Sequence, residues 1–164
     1  MAAKHLRHKN PTPLQRERGL VLACPQFRSG VNLARTVRLA GCAGIQKMVV
    51  CGTTKIDRKI ARDAADIVEV VRKRTLDTWL KEQSSSSTIV ALEQSDSSTN
   101  LFDYEFQRDS ILVIGNERQG ISDELLSMVD DIIEIPVYGQ PFSYNVVTAT
   151  TMAVYEYCRQ FPNG

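Results

Sequence analysis

"ILVIGNERQGIS", residues 111–122, is the stretch on which the reading of this chain turns. Four β-favouring aliphatics run into Gly115-Asn116-Glu117-Arg118-Gln119-Gly120, and a helix over about 122–128 is predicted just beyond. A strand that ends in a glycine-bracketed polar loop is a common way for an α/β protein to build a ligand site. The loop is not the G-x-x-x-x-G-K-[ST] phosphate cradle, because Ile121-Ser122 follows Gly120. Nor is it G-x-G-x-x-G, because position 117 is Glu. A carboxylate beside a guanidinium therefore calls for a different ligand chemistry.

Outward from that loop, apolar runs alternate with helical periodicity. "GLVLACP" (19–25) reads as a buried strand stopped by Pro25. Asn32 caps or opens a helix to about Gly41, on the spacing of Leu33, Val37 and Ala40. "KMVVCG" (47–52) is a second strand, "IDRKIARDAAD" (56–66) one short helix, and "DIVEVV" (66–71) a weakly alternating strand. "TLDTWLKEQ" (75–83) is a helix with Trp79 packed inside. "TIVALEQ" (88–94) is a strand, and the polar stretch 95–109 a surface loop. Strands over 111–114 and 131–137 and a long helix over about 145–160 complete the pattern, with Asp130-Asp131 at a strand end. Continuously apolar strands alternating with helices predict an α/β fold: a parallel-rich sheet covered by helices on both faces. Ligand residues then belong at the carboxyl ends of strands.

The chain of 164 residues, 43% apolar and 24% charged, suits one globular domain. No apolar run approaches the roughly 18 residues of a membrane span, and the basic N-terminus has no apolar secretory core. No membrane partner and a cytoplasmic location are expected. Cys24, Cys42, Cys51 and Cys158 show no CxxC spacing, which suits reduced, mostly packed thiols. Both histidines, His5 and His8, precede the first strand, so histidine catalysis and a zinc site are not expected in the body. No metal is expected.

Charge is distributed unevenly. Residues 1–18 carry Lys4, Arg7, Lys9, Arg16 and Arg18 against Glu17, which leaves 15 basic and 18 acidic residues in the rest. We read 1–18 as a basic N-terminal arm and 19–164 as a single domain. A basic arm on a mildly acidic body suits a polyanion, with Arg7 and Lys9 as candidate contacts. A solvated tail has the same composition, and the arm holds no aromatic residue to stack on bases.

Polar residues interrupt the aliphatic pattern in three places. In "SGVNLARTVRLAG", Asn32, Arg35 and Arg38 step by three along one helix stripe. The second place is the 115–120 loop. The third is "IEIPVYGQPFSYNVV", where prolines and Gly139 shape a loop ending in Ser143-Tyr144-Asn145. Taken singly, these read as a solvent face, a turn and a helix cap. Taken together and in order, Asn32…Arg38, Gly115-Asn116-Glu117…Gly120 and Ile135-Pro136…Gly139…Ser143…Asn145 resemble the motifs of the SpoU-type RNA ribose 2′-O-methyltransferases of the SPOUT superfamily. The likeness covers about residues 19–160. The form "GNERQG" is most similar to members acting on the D-loop guanosine of tRNA.

The resemblance implies a deep C-terminal trefoil knot and a bent S-adenosylmethionine held by Leu92, Glu93, Gly115, Ile135, Ser143 and Tyr144. It implies a catalytic set of Arg38, Asn32, Glu117, Ser143 and Asn145, in which Asn32 and Glu117 orient Arg38. It also implies a homodimer through the final helix and the knot, each site borrowing residues from the other subunit. Arg28, Arg35 and Arg118 are candidate RNA contacts, or ordinary surface charges. Ala34, Arg118, Tyr144 and Val147-Thr148 depart from the common family pattern, but none removes a catalytic group. A short body without a separate RNA-binding domain favours tRNA over rRNA as substrate. A non-catalytic RNA-binding protein with the same knot is the alternative; a flavodoxin-like nucleotide protein leaves the last two motifs unexplained.

Overall fold

The computed structural model describes residue 3, residue 5 and residues 9–164. In chain order the elements are β1 (Val21–Cys24), α1 (Gly30–Ala43), β2 (Lys47–Cys51), α2 (Arg58–Ala61), α3 (Ala64–Ile67), β3 (Glu69–Lys73) and α4 (Asp77–Gln83). Then follow β4 (Thr88–Leu92), β5 (Thr99–Asn100), β6 (Ser110–Ile114), α5 (Asp123–Leu126), β7 (Asp131–Glu134) and α6 (Val146–Gln160). The sheet order is β3-β2-β1-β6-β4-β7-β5. Every strand pairing in it is parallel.

Strand alternation sends successive side chains to opposite faces, and apolar residues on both explain why the sheet is buried twice. Leu22, Cys24, Met48, Val50, Val90, Leu92, Leu112 and Ile114 share one core, which includes Leu33, Val37 and Ala40 of α1 and Ala153, Val154 and Tyr157 of α6. Ala23, Val49, Ile89, Ala91, Ile111 and Val113 face the other core, closed by Leu76, Trp79 and Leu80. Trp79 is thus a packing residue.

Several elements differ from the sequence expectation. Ser29, not Asn32, caps α1, its hydroxyl accepting the Asn32 N–H at 3.3 Å. Asn32 therefore lies inside the first turn, with its side chain free to reach another loop. The predicted 56–66 helix is two short helices, because the chain breaks at Arg62, whose φ is 56°. The 95–109 stretch is more than a surface loop: Thr99–Asn100 adds an edge strand beside β7, and Leu101 and Phe106 are buried. The six residues 101–106 mix four apolar or aromatic side chains with two acidic ones, a run too short to tell a strand from a packed loop.

The predicted arm is tethered near its end. The Arg16 guanidinium donates to the Gly164 carbonyl at 2.7 Å, and Arg18 donates to the Ala43 and Phe161 carbonyls at 2.6 and 2.7 Å. These two cations hold the body together and are not free for a polyanion. Lys9 is exposed; Arg7 lies outside the described residues. Among the described residues no helix is long and apolar enough to cross a membrane.

Candidate functional site at the ends of three neighbouring strands

β6, β4 and β7 lie side by side, so their carboxyl ends, Ile114-Gly115, Leu92-Glu93 and Glu134-Ile135, open onto one place. A cavity of about 250 Å³ lies there, closed by the 115–120 loop, by Ser143 and Tyr144, and by Val146, Ala149 and Thr150 of α6. All six residues named from the sequence for the cofactor line it: Leu92, Glu93, Gly115, Ile135, Ser143 and Tyr144. Glu117 and Arg118 line it too. Gln94, Ile114, Glu134, Val137, Ala149 and Thr150 were missed. Gln94 and Glu134 follow from the strand-end rule once the strand order is known; the α6 residues carry no sequence signal beyond helical spacing.

The 115–120 loop is braced internally and against two other loops. Asn116 and Gly120 exchange backbone hydrogen bonds at 2.8 and 3.0 Å, drawing the loop into a closed turn. Gly120 has φ 64°, and a side chain there would collide with Glu93 Oε2. That same oxygen accepts the Ile121 N–H at 2.9 Å, while Glu93 Oε1 accepts the Gln94 N–H at 3.0 Å. The Asn116 amide donates to the Gln26 carbonyl at 2.6 Å.

Glu117 reaches the start of α1. Oε2 accepts the Arg28 N–H at 3.0 Å; Oε1 accepts the Ser29 N–H at 3.0 Å and Asn32 Nδ2 at 3.2 Å. Burial by itself would raise the affinity of Glu117 for a proton, but these N–H donors outweigh it and hold the carboxyl below its ordinary range. Glu117 is therefore a fixed negative charge held by three donors. It orients Asn32 and the β1–α1 loop; among the described residues neither Glu117 nor Asn32 makes a hydrogen bond or ion pair with Arg38, which lies six residues or about 9 Å along the helix axis from Asn32.

Arg38 and Arg35 are exposed on α1, line no part of the cavity, and among the described residues make no hydrogen bond or ion pair. Asn145 lies just outside the cavity and caps α6, its Oδ1 accepting the Val147 N–H at 2.9 Å. The structure thus brings Glu117 and Ser143 to one cavity, with Asn32 bonded to Glu117, and leaves Arg38 exposed outside it. A second hollow of about 270 Å³, off β1, β2 and β3, is lined by none of the predicted site residues. Among the described residues no group of three or more His, Cys, Asp or Glu side chains is placed to hold a metal ion.

The SpoU rRNA Methylase family model matches residues 19–155. The mouse tRNA (guanosine(18)-2′-O)-methyltransferase TARBP1 is 33% identical over 142 residues, 87% of this chain and 8% of that protein. The crystal structure of the Aquifex aeolicus TrmH/SpoU tRNA modifying enzyme has a TM-score of 0.83 at 27% identity, covering 91% of this chain and 78% of that one. The SpoU methyltransferase AviRb of Streptomyces viridochromogenes, in complex with AdoMet, has a TM-score of 0.77 at 25% identity, covering 91% of this chain and 63% of that one. The chain thus spans a small part of its mouse relative and most of the Aquifex protein.

Proposed function

The chain belongs to the SpoU methylase family, and from that premise we propose that it transfers a methyl group from S-adenosylmethionine to a ribose 2′-hydroxyl of RNA, tRNA in preference to rRNA. The carrying observation is the single cavity lined by all six residues that the family motifs assign to the cofactor. Its donor set fits the group. Leu92, Ile114, Ile135 and Val137 offer apolar walls to an adenine. The carboxylates Glu93, Glu117 and Glu134 outnumber Arg118, a field suited to a sulfonium and an ammonium. When bound, S-adenosylmethionine supplies an electrophilic methyl carbon.

The protein's part is to orient the ribose and manage the proton that leaves its hydroxyl. Glu117 does not serve as the base, because three N–H donors hold its charged form and depress its proton affinity. It fixes Asn32 at the cavity mouth. Ser143 presents a hydroxyl to the cavity. Arg38 stabilises the developing alkoxide and the adjoining RNA phosphate, since a guanidinium keeps its charge at any ordinary pH.

A homodimer is part of the same reading, with Arg38 of one subunit completing the site of the other. Its support is that Arg38 is exposed and outside the cavity of its own chain. A threaded C-terminal segment belongs to it too, supported by β7 lying between β4 and β5, both formed earlier in the chain. A cytosolic location is consistent with four free thiols. Because the mouse relative is named for guanosine 18 of tRNA, a D-loop guanosine is the first position to examine.

The test is transfer of labelled methyl from S-adenosylmethionine to unmodified tRNA and, separately, to rRNA, followed by alkaline digestion. Label in an alkali-resistant dinucleotide from tRNA is the expected result. Label in rRNA alone would overturn the substrate preference. Cofactor binding without label on either RNA would overturn the methyl-transfer reading for these substrates.

A further inference from the structure

Eight consecutive residues, 138–145, are exposed, and three of them are aromatic. Tyr138 is 89% exposed, Phe142 75% and Tyr144 42%. Large apolar rings held in water on one short loop call for a covering partner. Tyr144 faces the cavity, but Tyr138 and Phe142 do not line it, so the cofactor leaves them uncovered. The second half of the loop is anchored. Gln94 Nε2 donates to the Phe142 carbonyl at 3.5 Å, and Asn145 caps α6.

Arg118 lines the same cavity as Ser143 and Tyr144, exposed and with no side-chain hydrogen bond or ion pair among the described residues. Arg28 lies beside it, since the Arg28 N–H binds the carboxylate of the neighbouring Glu117. Two of the cavity's carboxylates are held by backbone and side-chain donors, Glu117 by three and Glu93 by two. Exposed aromatic rings and exposed arginines thus belong to loops that border one cavity.

We propose that Tyr138 and Phe142 form a stacking platform for unpaired nucleobases of the RNA substrate, with Arg118 and Arg28 holding the phosphates opposite. This rests on the RNA-methylation reading above and names the form of RNA the site accepts. Aromatic faces beside arginines suit unpaired nucleotides, because every base has a π-face while a paired helix hides its own in the stack. A strand laid across the mouth turns its bases to the rings and its phosphates to the arginines, and brings a ribose over the cavity. The arm has no aromatic residue, so the body supplies the stacking surface.

The experiment compares wild type with Tyr138→Ala/Phe142→Ala and Tyr138→Phe/Phe142→Tyr. Each is titrated with a hairpin RNA carrying 2-aminopurine in its loop and with a blunt RNA duplex of equal charge, alongside S-adenosylmethionine titration and sedimentation. The alanine pair should lose about tenfold in loop-RNA affinity per ring, together with the 2-aminopurine quench. Duplex affinity, cofactor affinity and sedimentation should stay unchanged, and the aromatic-retaining pair should bind as wild type. Equal weakening on duplex and hairpin, or no weakening, would overturn the proposal. Dissociation of a dimer by the alanine pair would also overturn it, since a second copy would then cover the rings. Wild-type protein that binds no S-adenosylmethionine would sink the methylation reading instead, independently of the loop-RNA result.

Discussion

Asn32 Nδ2 donates to Glu117 Oε1 at 3.2 Å, joining two residues 85 positions apart. With the Arg28 and Ser29 N–H groups on the same carboxylate, the bond ties the β1–α1 loop to the loop after β6. Both loops leave neighbouring parallel strands, so one carboxylate holds the mouth of the site in register.

Replacing that carboxylate tests the brace. Glu117→Gln keeps the size but loses the charge and one acceptor oxygen, and should cost about 1–3 kcal/mol in urea unfolding, together with cofactor affinity. The folded pKa lies below the unfolded one, so the stabilisation is fully present above the unfolded value of about 4.3 and is lost as pH falls through the folded value. The stability gap between wild type and variant should therefore narrow at acid pH. A gap that is constant from pH 7 down to acid unfolding would show that ionisation is not what matters.

Gly120 is the loop position least able to accept a side chain, because its φ is 64° and Glu93 Oε2 occupies the space. Gly120→Ala should destabilise the protein by about 1–3 kcal/mol and weaken S-adenosylmethionine binding. Gly139→Ala meets nothing within 4 Å and is the control, with an unchanged melting curve. Equal behaviour of the two in calorimetry would refute the steric argument.

Arg38→Ala should lower methyl transfer by at least about 100-fold while isothermal titration finds cofactor affinity intact. Mixing Arg38→Ala subunits with subunits whose cavity is blocked by Ala149→Phe should restore part of the turnover if each site draws Arg38 from a second copy. No recovery in assembled mixtures would place Arg38 in its own subunit's site. Near-normal turnover of the single variant would remove it from the mechanism.

The arm and its tether should separate. Deleting residues 1–10 removes Lys4, Arg7 and Lys9, and should reduce the slope of log K against log salt for RNA by about 2, with little change in stability. Arg18→Ala should do the reverse. It strips two carbonyls of their donor, lowering thermal stability while leaving the salt slope alone. A deletion that leaves the slope unchanged would make the arm a bystander.

The sequence by itself determined the doubly covered parallel sheet, because continuous aliphatic runs at strand length can be buried only between two helical layers. The family resemblance named Leu92, Glu93, Gly115, Ile135, Ser143 and Tyr144, and the fold brings all six to one cavity at strand ends and in the loop before the last helix. The tertiary structure alone decided what those side chains do. Strand order is set by crossovers that leave no local mark, and it is strand order that makes β6, β4 and β7 neighbours. The hydrogen bonds of Glu117 span nearly ninety residues, so its role as a brace was invisible from spacing. Arg16 and Arg18 looked like free cations until their carbonyl partners, distant in the chain, came into place. Tyr138 and Phe142 stand in no motif or periodic pattern of the sequence. Their exposure is a property of the folded surface, since burial depends on which segments fold back over a side chain and not on the side chain itself.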